Sequence, residues 1–240
     1  MTKPEVAVVV GVGPGLGSAL ARRLAHAGMH VAAASRDAAK LASLTRELSS
    51  QGVKGRAYDC DATDEESVEK LFSKVAADLG KPCLVVYNAG AFVRKGILET
   101  TKEEFECCWK IGCLGGFLVG QAAARAMLST ENPSGTIIFT GATASLRGSA
   151  WFHNLAVGKF GLRALAQSMA RELQPKGIHV AHVVIDGQIR SDRPGYREEG
   201  RGKDAVLDPN AIAETYYQLH LQPRSAWSLE VDLRPWVEKF

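Results

Sequence analysis

Apolar residues along this 240-residue chain gather in short runs, separated by longer segments in which they recur every three or four positions. The runs at residues 5–10, 30–35, 53–58, 82–87, 135–140 and 178–185 are rich in Val, Ile and Ala and show little alternation, as expected of strands buried on both faces. Residues 17–27, 38–50, 65–79, 102–127 and 159–173 carry helical spacing. Gly28, Gly52 and Gly80 follow the first three of these helices, and Pro175 with Gly177 follows the fifth, where each should stop. Strand and helix alternating in this way predict an α/β architecture, one doubly wound parallel sheet of about seven strands flanked by helices. A further helix over 209–221 and a strand over 228–233 follow without any linker, so residues 1–240 read as a single domain. Only residues 186–210 lose the pattern, in a stretch of Gly, Pro and charge expected to be a mobile surface loop that closes over a ligand.

Composition narrows the function classes. A hydrophobic fraction of 46% with 23% charged residues is that of a globular domain, and no unbroken run approaches the roughly 20 apolar residues that span a membrane. The first residues lead straight into the first strand with no export pattern, so the expectation is a cytoplasmic protein without a membrane partner. Five cysteines, Cys60, Cys83, Cys107, Cys108 and Cys113, are odd in number and include no CxxC pair, which argues against a disulfide framework and against a metal site. The net charge of +3 is dispersed, with no basic block of the kind that grips nucleic acid.

The chemistry starts at Val10-Gly11-Val12-Gly13-Pro14-Gly15-Leu16-Gly17, where the first strand hands over to the first helix. Glycine lets the backbone adopt positive φ and come close to a ligand, while the free N–H groups and dipole of the helix N-terminus favour a diphosphate. Such a turn can be nothing more than a tight connection. Its place at the first strand-to-helix junction points instead to a dinucleotide, with Gly11, Gly13, Gly15, Leu16 and Gly17 as candidate contacts.

The spacing of Gly11, Gly15 and Gly17 resembles the glycine motif of the short-chain dehydrogenase/reductase family, with Val10 in place of its usual threonine. Other similarities follow in order. Asp61-Ala62 resembles the family's adenine-contacting pair, Tyr87-Asn88-Ala89-Gly90 its NNAG motif, and Lys159 its active-site lysine. Asp186-Gly187-Gln188-Ile189 resembles the PG segment beside the nicotinamide, with Asp186 replacing the proline and Ser191 near the usual threonine. The resemblance spans about residues 5–191 and implies a Rossmann-like fold, a small-molecule substrate and a nicotinamide cofactor. It adds Asp61, Ala62, Asn88, Ala89, Gly90, Gly187 and Ile189 as cofactor contacts and gives Lys159 the nicotinamide ribose. It also implies a homodimer or homotetramer built on the helices at 102–127 and 159–173.

The end of the second strand reads Ala34-Ser35-Arg36-Asp37. An NAD enzyme usually places a carboxylate there for the ribose hydroxyls, and such a group repels a 2′-phosphate. The family's selecting position falls on Ser35, and the adjacent Arg36 guanidinium can pair with a phosphate, so NADP(H) is preferred. NAD(H) remains open if Asp37 takes the ribose, although Asp37 also suits the N-cap of the helix at 38–50.

The resemblance breaks at the proton-transfer groups. Four residues before Lys159, where the family has its tyrosine, stands Leu155, and a longer spacing reaches Phe152. The family serine falls near Ala142 or Thr143, which makes Thr143 the candidate catalytic hydroxyl beside Lys159, with Ser145 a weaker choice. The relay asparagine falls on Gly112. Leucine exchanges no protons, and loss of a positioned acid typically costs about 10²–10⁴ in rate. His153 and Tyr87 are possible substitutes, each more readily read as structural. Two functions stay open: an NADP(H)-dependent oxidoreductase with a non-standard active site, or a catalytically silent NADP(H)-binding sensor or scaffold. A domain that keeps the fold and binds no nucleotide conflicts with Arg36, Asp61, Asn88 and the glycine loop occurring together.

Overall fold

The computed structural model describes residues 4–192, 196–198 and 202–238. Seven strands, β1 (Val6–Val10), β2 (His30–Ser35), β3 (Gly55–Asp59), β4 (Leu84–Tyr87), β5 (Gly135–Thr140), β6 (Ile178–Ile185) and β7 (Glu230–Leu233), form one sheet in the order β3-β2-β1-β4-β5-β6-β7. All pairings are parallel. The alternating elements thus build the doubly wound, Rossmann-like α/β sheet expected. Helices α1 (Leu16–His26), α2 (Ala42–Ser49) and α7 (Pro209–His220) cover one face, burying Leu20, Leu24, Leu48 and Tyr216. On the other face lie α3 (Glu65–Asp78), α5 (Gly115–Leu128) and α6 (His153–Leu173), with Leu71, Val119 and Leu162 in the core; α4 (Lys102–Trp109) leads into α5. The strand order reverses between β1 and β4, and ligands of such sheets bind beyond the carboxyl ends at that switch point.

Three helices differ from the expected pattern in ways that shape this end of the sheet. The segment 38–50 is a 3₁₀ turn (Ala38–Leu41) before α2, and Asp37 does not cap it: its carboxylate pairs with Lys40 at 3.1 Å, while the Ala38 N–H donates to Asp59 Oδ1 at 2.8 Å. The segment 102–127 is broken by a π-helical turn (Lys110–Leu114), a feature frequent near functional sites. There Gly112 packs on Gly158 of α6 so closely that an added Cβ would lie 3.0 Å from the Gly158 Cα. The Ile111 carbonyl in this turn accepts the Tyr87 hydroxyl at 2.5 Å. Finally, α6 starts at His153, six residues before the expected 159, with Phe152 as an N-cap that offers no side-chain acceptor.

Lys102–Leu128, continuous through the π turn, is by length and composition long and apolar enough to cross a membrane, with a mean hydropathy of 1.4 over its most apolar 18-residue window. It contains no unbroken apolar run of spanning length because Gln121 and Arg125 interrupt its apolar second half. Half of that window is buried inside the protein. The stretch 186–210 is tied at both ends, by Leu207 N–H to Gln188 O at 2.8 Å and Arg190 N–H to Leu207 O at 2.9 Å. Its residues 193–195 and 199–201, and the terminal Phe240, lie outside the described residues.

Candidate functional site

The glycine loop is shaped by contacts that only glycine permits. Gly11 has φ +92°, and a Cβ there would lie 2.5 Å from the Ala89 backbone nitrogen; one at Gly17 would meet the Gly11 carbonyl at 2.8 Å. Asn88 clamps the same spot, its side-chain amide donating to the Gly11 carbonyl at 3.0 Å. Hence Asn88, Ala89 and Gly11 form one packed unit in which strands β1 and β4 end together. Gly13, by contrast, has nothing within 4 Å of its Cβ direction, which leaves the loop open on that side. Buried Leu16 and Gly17 start α1 and aim its N-terminus at the loop. Ser191 closes the far side, its hydroxyl donating to the Pro14 carbonyl at 2.9 Å and lying 3.2 Å from where a Gly15 Cβ would be.

Along the sheet edge, Ser35 ends β2 with its hydroxyl on the Asp37 carbonyl at 2.8 Å, and Arg36 next to it is exposed, in no ion pair among the described residues. Asp61 follows β3. The Thr63 N–H at 2.9 Å and hydroxyl at 2.7 Å hold its carboxyl below the usual range, and the Arg36 charge acts in the same direction. Ala62 is buried beside it. These groups suit the adenosine end of a dinucleotide, with a cation for an added phosphate.

At the other end, Lys159 reaches through the core of α6 to the sheet. It is 5% exposed, its ammonium donates to the Thr140 carbonyl at 2.6 Å, and burial pushes its pKa down to about 8. A Cβ on Gly90 would lie 3.8 Å from the Lys159 Nζ, so the turn after β4 borders the amine. Thr143, just beyond β5, donates to Asp186 Oδ1 at 2.5 Å, and Asp186 is 5% exposed. Gly187 (φ +151°), Gln188 and Ile189 carry the chain from there toward Ser191. The glycine loop, Asn88 to Gly90, Thr143, Lys159 and Asp186 to Ile189 therefore meet at the carboxyl ends of β1, β4, β5 and β6.

A family model described as short chain dehydrogenase matches residues 5–197. The chain belongs to the short-chain dehydrogenase/reductases. A short-chain dehydrogenase from Rhodopseudomonas palustris is 40% identical, with a TM-score of 0.83 over 97% of this chain and 99% of that one. A curated short-chain dehydrogenase/reductase of Armillaria gallica is 35% identical over 182 residues, 75% of this chain and 69% of the relative. A metagenomic short-chain oxidoreductase solved in complex with NADP is 27% identical, with a TM-score of 0.83 over 98% of both chains.

In this short-chain dehydrogenase/reductase Leu155 stands, half-buried, on the first turn of α6. Neither substitute acid considered from sequence is well placed. Tyr87 is fully buried, its hydroxyl is committed to Ile111, and burial raises its pKa. His153 Nε2 is engaged with the Thr100 hydroxyl at 2.8 Å, and its ring lines a cavity of about 630 Å³ with Val157 and Phe160 on the outer stripe of α6. Two features were missed. One is the Asp186 contact with Thr143, for which a lone carboxylate ending the apolar run 178–185 was the available signal. The other is a chain running from the buried His182 to the surface, in which His182 Nδ1 meets Glu230 at 2.9 Å and Glu230 takes Arg163 through two bonds of 2.7 and 2.6 Å. At the opposite end of the sheet Glu5, Cys83 and His220 bring potential ligand atoms within 4.8 Å of one another. Burial pushes the Cys83 thiol up to about 12, which makes it a poor thiolate ligand.

Proposed function

We propose that this chain is an NADP(H)-dependent oxidoreductase acting on a small organic substrate with an activated carbonyl or alkene, through a non-standard active site. The observation that carries the reading is the cradle at Gly11 to Gly17. Side chains at Gly11 or Gly17 would strike backbone, whereas the approach over Gly13 is open. The residues present fit a dinucleotide: Gly13, Gly15 and the start of α1 for its diphosphate, Asp61 and Ala62 for the adenine end, Ser35 and Arg36 for a 2′-phosphate. Asn88 to Gly90, Lys159, Gly187 and Ile189 would line the nicotinamide end. A bound nicotinamide supplies hydride chemistry. The protein's own work is to hold it, to keep the Lys159 amine at the ribose, and to manage the proton. The NADP complex of the metagenomic relative supports the cofactor preference, as does the exposed Arg36 in the absence of a carboxylate at Ser35.

Titrating the protein with NADPH and NADH by fluorescence tests this. Micromolar NADPH binding is expected, weakened at least tenfold in Arg36→Ala with NADH binding little changed, and weakened for both nucleotides in Lys159→Ala. No binding to either nucleotide overturns the reading. Leu155 favours a second reading, a silent NADP(H)-binding sensor or scaffold; tight binding with no turnover of any carbonyl would select it. The five free cysteines support a reducing, cytoplasmic setting. The half-exposed Phe117, Val157 and Phe160 on α5 and α6 support a homo-oligomer joined through these helices. Sedimentation of the Phe117→Glu/Phe160→Glu double variant should then show the monomer.

A further inference from the structure

We propose that Thr143 and Asp186 form a two-residue proton relay to the substrate oxygen, taking over the role for which Leu155 is unsuited; this rests on the oxidoreductase reading above. The pair is produced by the sheet itself. Thr140 of β5 lies opposite Val183 of β6, and Thr143 and Asp186 each stand three residues further along, so the parallel register carries them level with one another beyond the strand ends. The hydroxyl donates to Asp186 Oδ1 at 2.5 Å, the short end of the range for an O–H donor on a carboxylate. Thr143 is half-buried and Asp186 almost wholly so, which makes Thr143 the more accessible of the pair. Behind the carboxylate, Arg234 Nη1 stands 3.9 Å from Oδ2 while Nη2 binds Asp232 at 2.8 Å, so the Asp186 charge is balanced at a distance.

Ending an apolar strand with a buried charge is costly, and a neutral Asn would accept the same Thr143 hydrogen bond. Neither buried tyrosine nearby supplies a better acid. Tyr87 is committed to Ile111, and the buried Tyr216 donates to the Thr140 hydroxyl at 3.0 Å. Lys159, on the Thr140 carbonyl, sets a positive charge at the end of the strand that carries Thr143.

The balanced step is short. In carbonyl reduction the substrate carbon gains a hydride from the nicotinamide, and its oxygen forms an O–H bond with the Thr143 proton. Thr143 Oγ1 in turn takes a proton that Asp186 passes on from water, and Asp186 ends as the carboxylate that accepts the Thr143 hydroxyl. Alcohol oxidation runs the same transfers backward, starting from the arrangement in which Thr143 donates to the carboxylate.

The experiment uses the intact protein with NADPH and 1-phenyl-1,2-propanedione, an activated aromatic diketone, in wild type and in Asp186→Asn, Thr143→Val and Thr143→Ser. Asp186→Asn keeps an acceptor for Thr143 and should hold the NADPH Kd within about twofold. It should also lower kcat by about 10²-fold or more. Thr143→Val should behave the same way, and Thr143→Ser should restore the rate to within about tenfold of wild type. A readout without nucleotide is the proton NMR signal of the Thr143 hydroxyl, expected far downfield in wild type and moved upfield in Asp186→Asn. An Asp186→Asn protein that binds NADPH and keeps the wild-type rate overturns the relay alone, as does a hydroxyl signal indifferent to that substitution. Wild type that binds NADPH without reducing the diketone also overturns the relay, since a working acid route would reduce so activated a carbonyl. Wild type that binds no NADPH overturns the oxidoreductase reading and the relay together.

Discussion

Alanine at Gly11 and alanine at Gly13 should have opposite effects, although the two glycines stand two residues apart in one loop. At Gly11 the new Cβ would sit 2.5, 2.7 and 2.8 Å from backbone atoms of Ala89 and Asn88, and the residue has φ +92°. A non-glycine residue in the left-handed region costs about 1–2 kcal/mol, and overpacking against backbone that cannot swing aside costs about 1–3 kcal/mol. Gly11→Ala should therefore lose roughly 2–5 kcal/mol of stability, which in a chain of this size lowers Tm by roughly 4–20 °C. At Gly13 nothing lies within 4 Å and φ is not in the left-handed region, so alanine should leave stability within about 0.5 kcal/mol of wild type. A methyl group on the open side of the loop, however, should weaken NADPH binding at least tenfold, or about 1.4 kcal/mol. Thermal unfolding and NADPH fluorescence titration on both variants separate the effects. The reasoning fails if Gly11→Ala melts with the wild type, and the cradle assignment fails if Gly13→Ala binds NADPH with unchanged affinity.

Further outcomes follow from buried charge. Lys159 titrates near 8 in the folded protein against 10.5 unfolded, so between these values the unfolded chain holds more protons and stability rises with pH. A displacement of about 2.5 pH units at about 1.4 kcal/mol each gives roughly 3.5 kcal/mol, to be seen in urea midpoints from pH 7.5 to 10.5 and missing from Lys159→Met. Glu230→Gln breaks the paired bonds to Arg163 and the contact with His182, and should cost about 2–3 kcal/mol near neutrality in chemical unfolding. Arg163, first, and then His182 hold the Glu230 carboxyl below its usual range, so its contribution is present above about 4.5 and is lost as pH falls through the lower folded value; wild type and Glu230→Gln should converge in acid. Tyr87→Phe removes the donor to the Ile111 carbonyl in the π turn and should lower stability by about 1–2 kcal/mol, read by the same unfolding assay.

Strands buried on both faces were the most legible elements: residues 30–35, 135–140 and 178–185 are nearly continuous apolar runs, and each became a strand at those bounds. The third strand shifted from 53–58 to Gly55–Asp59 because it lies at the sheet edge, where only Tyr58 is buried and the apolar signal is thin. The π turn could not be read locally, since it packs through Gly112 on Gly158, far along the chain. The start of α6 lacked any capping side chain to announce it. In the candidate site, the glycine loop and Lys159 stood out because their chemistry is local to one turn or one residue. Thr143 and Asp186 did not form a visible pair, because strand pairing alone sets them level. Asp37 misled as a cap because Lys40, one turn on, competes for its carboxylate.

Thr140 joins the two halves of the molecule that the sheet otherwise separates. Its carbonyl receives the Lys159 ammonium from the α6 side, and its hydroxyl receives Tyr216 from α7 on the other side. The amine is thus braced through the sheet by a residue on an outer helix, by way of one threonine. Selection for altered catalysis acting only on the cleft walls would leave this strut alone. Variation at Tyr216, conducted through one threonine, reaches the lysine from behind, and offers a way to retune the site without changing any surface a ligand meets.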